Sequence, residues 1–90
     1  MKRIEKRLFA IGDRLEALVR ERAEVAAELD TLRDISVDSQ TDAMYYDEVI
    51  DRIDARLTAA DVQRFEKVLS DLEAECAQLE RRRASLLDEL

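Results

Sequence analysis

Several residue types are missing or nearly missing from this 90-residue chain. It contains no histidine, proline, tryptophan or asparagine, one glycine, one cysteine and only 4% aromatic residues. One glycine and no proline cannot supply the turns of a β-sheet protein. The lack of histidine removes the commonest general base and metal ligand, and one cysteine cannot form an internal disulfide or a zinc site. We therefore expect neither an enzyme nor a protein that binds a small-molecule substrate, a metal or another cofactor.

The residues that remain are those of long helices. Hydrophobic residues make up 47% of the chain and charged residues 41%, with a net charge of −7. This composition is typical of an all-α protein. An acidic chain repels phosphate backbones, so direct nucleic-acid binding is not expected. The apolar runs are only a few residues long, which predicts no membrane-spanning segment.

The start of the chain and its thiol content predict a compartment. Lys2 and Arg3 stand where a signal peptide has its basic residues, but Asp13, Arg14 and Glu16 interrupt the apolar stretch that follows in such a peptide. With one cysteine and no export signal, a reducing cytoplasm is the expected location. Arginine outnumbers lysine by 12 to 3 beside 12 alanines, which suggests a GC-rich bacterial genome.

A heptad pattern dominates the first third of the chain. Its members follow each other at alternating steps of four and three: Ile4, Leu8, Ile11, Leu15, Leu18, Arg22, Val25, Leu29 and Leu32. This spacing predicts a helix over residues 2–36 whose apolar stripe faces a partner helix. Gly12, Val19 and Ala26 form a further row that widens the stripe. Three positions per heptad suit a bundle of three or four helices better than a two-stranded coil.

Residues 37–42 are predicted to form the turn. Serine, threonine and aspartate are concentrated there, and their side chains compete for helical hydrogen bonds. No proline or glycine fixes the boundary. Thr41 or Asp42 is a candidate cap for the helix that follows.

The rest of the chain has two periodic stretches with a phase shift between them. The first comprises Tyr46, Ile50, Ile53 and Leu57; the second comprises Val62, Phe65, Leu69, Leu72, Cys76, Leu79, Arg83, Leu86 and Leu90. Thr58 and Asp61 are spaced as in a capping box, and Leu57 and Val62 as in a hydrophobic staple. We therefore predict a short helix over 43–57 near the turn and a long one over 58–89. The alternative is one continuous helix over 43–90.

Two long helices of similar length predict an antiparallel, coiled-coil-like hairpin that forms a single domain, residues 1–90. One hairpin has a small core, so we expect a homodimer that forms a four-helix bundle. The predicted core and dimer seam consists of Leu8, Ile11, Leu15, Leu18, Val25, Leu29, Leu32, Phe65, Leu69, Leu72, Cys76, Leu79 and Leu86. Cys76 is expected to be a small buried hydrophobe. Arg22 and Arg83 interrupt the seam and are predicted to set its register, with their stems on apolar surface and their charges in water.

The hairpin separates charge along its length. Residues 1–22 carry a net +3, residues 23–61 carry −8 and residues 62–90 carry −2. The acidic tip, defined here as the turn end of the hairpin, has the candidate interaction residues Asp34, Asp38, Asp42, Tyr45, Asp47 and Glu48. It either docks on a cation or basic protein surface or only keeps the protein in solution. The opposite end, the base, has the clusters Lys2, Arg3, Lys6, Arg7 and Arg81–Arg83.

These features favour a non-catalytic coiled-coil interaction module or small scaffold with an unidentified protein partner. In outline, the helix, acidic turn and returning helix resemble the N-terminal coiled-coil hairpin of Gre-type transcript-cleavage factors, which enter the secondary channel of RNA polymerase. This resemblance implies a regulator of a large enzyme. It rests on outline alone, so no functional residue is transferred. A third hypothesis is a sequestering subunit, antitoxin-like or anti-activator, that becomes ordered with its partner.

Overall fold

The fold is an extended antiparallel hairpin of two helices, as the heptads predict. The computed structural model describes residues 2–46 and 48–90. Helix α1 spans Arg3–Tyr46 and helix α2 spans Val49–Asp88, and these residues contain no strand. The rod measures 65 × 16 × 13 Å. This length agrees with a 44-residue helix at about 1.5 Å per residue.

The turn predicted at 37–42 is wrong, because α1 continues through it to Tyr46. The polar side chains of this segment are satisfied within the helix. The Thr41 hydroxyl donates to the Val37 carbonyl oxygen at 2.9 Å, and the Gln40 side-chain amide donates to the Ser36 hydroxyl at 3.0 Å. Hydrogen bonds four residues back in the sequence let such residues stay helical when proline and glycine are absent.

The predicted helix start at Thr58 is also wrong, since α2 is continuous from Val49. The Thr58 hydroxyl donates to the carbonyl oxygens of Asp54 (3.0 Å) and Ala55 (3.2 Å), so this residue lies inside a helix and caps none. The separate short helix over 43–57 therefore does not exist. Its first residues belong to α1 and the others to α2, and the continuous-helix alternative describes the chain after residue 48 correctly.

The chain reverses between Tyr46 and Val49. Glu48 is the N-cap of α2, with an extended backbone (φ −84°, ψ 149°). A reversal here divides the chain into two helices of 44 and 40 residues, so almost the whole of each helix has a partner. A turn at 37–42 would leave about three and a half turns of the second helix without one. Maximal burial of the two apolar stripes therefore decides the position of the turn.

The core lies between the helices, toward the base. Each residue predicted for the seam is buried or half-buried. The buried cluster is Ile11, Leu15, Leu18, Leu72, Cys76 and Leu86, and Ile4, Leu8, Val25 and Leu79 pack against it. Leu18 and Leu29 are the largest fully buried side chains. Toward the tip the seam continues in phase with small residues, and Ser36 is buried there.

This small-residue seam explains the phase shift in α2. Ala55, Ala59 and Val62 continue the inward row and are half-buried. The larger residues Ile53 and Leu57 therefore lie on another side of the same helix and are exposed. The phase shift thus marks a second apolar surface and not a helix boundary.

Candidate interaction site

The tip combines carboxylates with exposed apolar side chains. Among the predicted interaction residues Asp34, Asp38, Asp42 and Glu48 are exposed, and Tyr45 is 77% exposed. Asp47 lies outside the described residues. Asp34, Asp38 and Asp42 follow each other at steps of four along the last turns of α1. The structure therefore places these carboxylates close together on one end of the rod.

Large aliphatic side chains lie on α2 at the same end of the rod. Ile50, Ile53 and Leu57, which we call the tip stripe, are 64%, 49% and 60% exposed. Their spacing of three and four residues puts them on one side of the helix. Asp54 is exposed within the same two turns, and Glu48 precedes them. Tyr46, which precedes them in the same periodic stretch, is 70% exposed.

Exposure of the tip stripe follows from the hairpin geometry. Only one side of α2 faces α1, and the half-buried residues Ala55 and Ala59 occupy that side. A seam of small side chains leaves no space for the isoleucines between the helices. Met44, Tyr46 and Val49 are also more than half exposed, so the apolar area extends around the end of the rod. Contiguous apolar surface of this kind commonly marks a protein-binding site.

An open groove of about 520 Å³ lies near the base. Leu15 and Cys76 are the buried residues that line it, and Gly12 and Val19 line it from α1. Beyond the helix backbone and chain neighbours, no described atom lies within 4 Å of the position of a Cβ on Gly12. The charged residues of the groove are Glu16, Arg20, Arg22, Glu80 and Arg83. The groove is therefore partly apolar, with charges of both signs.

Arg22 and Arg83 both line this groove. Both are exposed, and within the described part of the chain neither forms an ion pair within 4.0 Å. Their charges reach water, as expected for long side chains on an apolar seam. The structure thus brings together two residues that are 61 positions apart, and Cys76 lies in the same groove.

The ion pairs between the helices involve other arginines. Arg14 Nε and Nη2 donate to Glu75 Oε1 and Oε2, both at 3.1 Å, and Arg33 Nη2 lies 3.4 Å from Glu66 Oε1. The hydrogen bonds to Glu75 and then its charge raise the pKa of Arg14 above its ordinary value. All four side chains are partly exposed, so these pairs align the helices more than they stabilise them. The heptad pattern does not predict these pairs, although opposite charge at matching register was a usable signal.

Neither a metal-binding cluster nor a membrane-spanning helix is found in the described part of the chain. Within residues 2–46 and 48–90, no group of three or more cysteine or carboxylate side chains is placed to hold a metal ion. Neither helix, over its described length, is apolar enough to cross a membrane. The single thiol, Cys76, is buried. The candidate sites are the tip and the groove.

Fold and surface together define an elongated antiparallel helical hairpin with an acidic, apolar tip. Comparison with protein-family models, with curated proteins and with solved structures gave no match to this chain.

Proposed function

We propose that the protein is a non-catalytic helical interaction module, and that its tip binds a protein surface that is both basic and apolar. The observation that carries the proposal is the exposure of Ile50, Ile53 and Leu57 beside a group of carboxylates. Full burial of one such aliphatic side chain contributes about 1.5–3 kcal/mol, which supplies affinity. The carboxylates select a basic partner and accelerate its encounter. We assign the module to the cytoplasm of a bacterium and expect it to act as a homodimer.

The test compares substitutions at the two ends of the rod. Ile53→Asp introduces a charge at a tip residue that is 49% exposed, and Leu87→Asp introduces the same charge at a base residue that is 53% exposed. Both variants should keep the helical circular dichroism of the wild type, because neither residue is in the core. The affinity for a protein purified by capture on the wild type should fall at least tenfold for Ile53→Asp and change less than threefold for Leu87→Asp.

The acidic residues are tested with the same purified partner. Asp38→Ala combined with Asp42→Ala should weaken binding several-fold at low salt and by less at high salt, because salt screens exposed charges. Equal affinity of the wild type and the double variant would argue against a functional acidic tip. Equal loss with Ile53→Asp and Leu87→Asp would argue against a binding site confined to the tip.

A second candidate is the regulation of a large enzyme such as RNA polymerase. The rod's cross-section of 16 × 13 Å over a length of 65 Å favours this function, because so slender a hairpin can carry its tip into a deep opening. An inhibition or stimulation assay with the captured enzyme separates the two candidates. An effect that Ile53→Asp abolishes supports regulation, whereas binding without any effect on the activity supports a scaffold.

A further inference from the structure

A further heptad-spaced surface, partly apolar, runs along α1 outside the hairpin core. Its residues alternate at steps of three and four, as the core residues do, but on another side of the helix. They are Phe9, Gly12, Glu16, Val19, Ala23, Ala26, Asp30, Arg33, Val37, Gln40 and Met44, which we call the α1 face. Phe9, Val37 and Met44 are each more than 60% exposed, and Val19 is half exposed. Within the hairpin, α2 therefore leaves these side chains uncovered.

The area of this surface suits a dimer. The chain exposes 6831 Å², whereas a globular monomer of 10.4 kDa exposes about 5,400 Å². One side of a rod of 65 × 16 Å offers about 1,000 Å², and a stable interface buries about 800 Å² per partner. A second hairpin laid along the first would thus bury enough area for a specific dimer.

Three pairs of positions on the α1 face are complementary about the middle of the helix. The midpoint of Arg3–Tyr46 lies between residues 24 and 25. A two-fold axis at that point places each residue opposite the one at the same distance on the other side. Ala23 then lies opposite Ala26 of the second copy, where small side chains allow the helices to approach closely.

The same axis matches two further pairs, Gly12 with Val37 and Glu16 with Arg33, whereas Val19 lies opposite Asp30. Val37 of one copy lies over Gly12 of the other, where the groove has space for a side chain. Glu16 lies opposite Arg33, an arginine that contacts Glu66 and keeps about half of its side chain exposed. A parallel arrangement would instead place Glu16 against Glu16 and Arg33 against Arg33. Like charges at an interface disfavour that arrangement.

The ends of the rod favour the same orientation. Residues 1–22 carry a net charge of +3 and residues 23–61 carry −8. Antiparallel rods lie with the basic start of each α1 beside the acidic tip of the other copy, whereas parallel rods bring the two acidic tips together. Both the Glu16–Arg33 pair and the net charges of the two ends of the rod therefore favour the antiparallel orientation.

We propose that two copies of the chain pack through their α1 faces as an antiparallel, two-fold symmetric four-helix bundle, with Val37 of each copy in the groove at Gly12 of the other. This inference rests on the homodimer included in the proposed function and specifies its geometry. The tip stripe lies on α2 and shares no residue with the α1 face, so the proposed contact leaves it free at both ends. The dimer therefore presents two tips, one at each end of the bundle, and can join two partners.

Cross-linking between single thiols tests the geometry. In a Cys76→Ala background, Gly12→Cys and Val37→Cys are oxidised separately and as a mixture of the two proteins. In the proposed dimer two copies of residue 12 lie about 38 Å apart along the axis, too far for a disulfide. Only the mixture should therefore give a covalent dimer. Covalent dimers from each variant alone, with none specific to the mixture, would overturn the antiparallel arrangement.

A second cysteine pair and an exchange of charge test the same geometry without a substitution at Gly12. They serve as controls if Gly12→Cys disrupts the groove. Phe9→Cys and Gln40→Cys are also equidistant from the axis and should cross-link only when mixed. Glu16→Arg should raise the dimer dissociation constant several-fold, and adding Arg33→Glu should restore it. Failure of the second pair to cross-link, with the double swap no better than Glu16→Arg, would overturn the proposal.

Sedimentation of the wild-type chain distinguishes the existence of a homodimer from the geometry proposed for it. A strict monomer of 10.4 kDa at all concentrations would overturn the homodimer itself, and with it the geometry. A dimer with the wrong cross-links would overturn the geometry alone. Neither result affects the tip, whose binding is measured with Ile53→Asp and Leu87→Asp.

Discussion

Leu18 and Leu57 allow one chemical change to be compared at two depths of the same hairpin. Leu18 is 0% exposed within the core cluster, whereas Leu57 is 60% exposed on the tip stripe. Both are leucines at heptad-spaced positions, and the sequence pattern alone assigns both to an apolar stripe. Substitution by alanine therefore tests the packing and not the pattern.

Leu18→Ala should lower the free energy of unfolding by about 3 kcal/mol. Removing three buried carbon atoms loses about 2.4 kcal/mol at ~0.8 kcal/mol per methylene, and a partly collapsed cavity adds the rest. In a chain of this size a loss of 1 kcal/mol lowers the melting temperature by about 4–8 °C. The expected decrease is therefore about 12–24 °C.

Leu57→Ala should change the free energy of unfolding by less than about 1 kcal/mol. Most of this side chain is already in water, and alanine has the slightly higher helix propensity. Thermal and urea unfolding followed by circular dichroism, at one protein concentration, compares the two variants. Equal destabilisation by Leu18→Ala and Leu57→Ala would refute the packing described here, because the tip stripe would then belong to a folded core.

Three further substitutions test particular features of the fold. Ala60→Pro should destabilise the protein by about 3 kcal/mol and reduce its helical circular dichroism, since residue 60 lies inside α2; a fully stable variant would show instead that a helix starts at Thr58. Ser36→Leu should destabilise by about 1–3 kcal/mol although it adds apolar surface, because Ser36 is buried in a narrow part of the seam; a gain in melting temperature would contradict this. Glu75→Gln should weaken the alignment with Arg14 and shift the urea midpoint far less than Leu18→Ala does, and the shift should shrink in high salt.

The sequence predicted most of the core because heptad spacing is a local property with one structural solution. Leu15, Leu18, Leu72 and Leu86 are spaced so that only a helix puts them on one side, and all four are buried. Two long helices with matching stripes then pack most simply as a hairpin. The acidic residues Asp34, Asp38 and Asp42 are exposed, as a carboxylate-rich segment predicts.

The two wrong predictions, the turn at 37–42 and the helix start at Thr58, fall where the local preference for ending a helix is weak. Serine, threonine and aspartate at 36–42 favour a break, but the hydroxyls of Ser36 and Thr41 find hydrogen-bond partners within the helix. The capping pattern at Thr58 is equally local and is overridden in the same way. A modest local preference for a turn cannot outweigh the burial gained along two uninterrupted helices.

By itself, the sequence determined that this chain is helical, which residues line the seam from Leu8 to Leu32 and from Phe65 to Leu86, and that charge is divided along the rod. The tertiary structure decided where the chain reverses and which apolar residues remain outside. The reason is that the position of the turn depends on how much of each helix packs against the other. That packing is formed by residues far apart in the chain, so no local pattern specifies it. With the reversal beside Glu48, the small residues of α2 face α1, and Ile50, Ile53 and Leu57 become a surface.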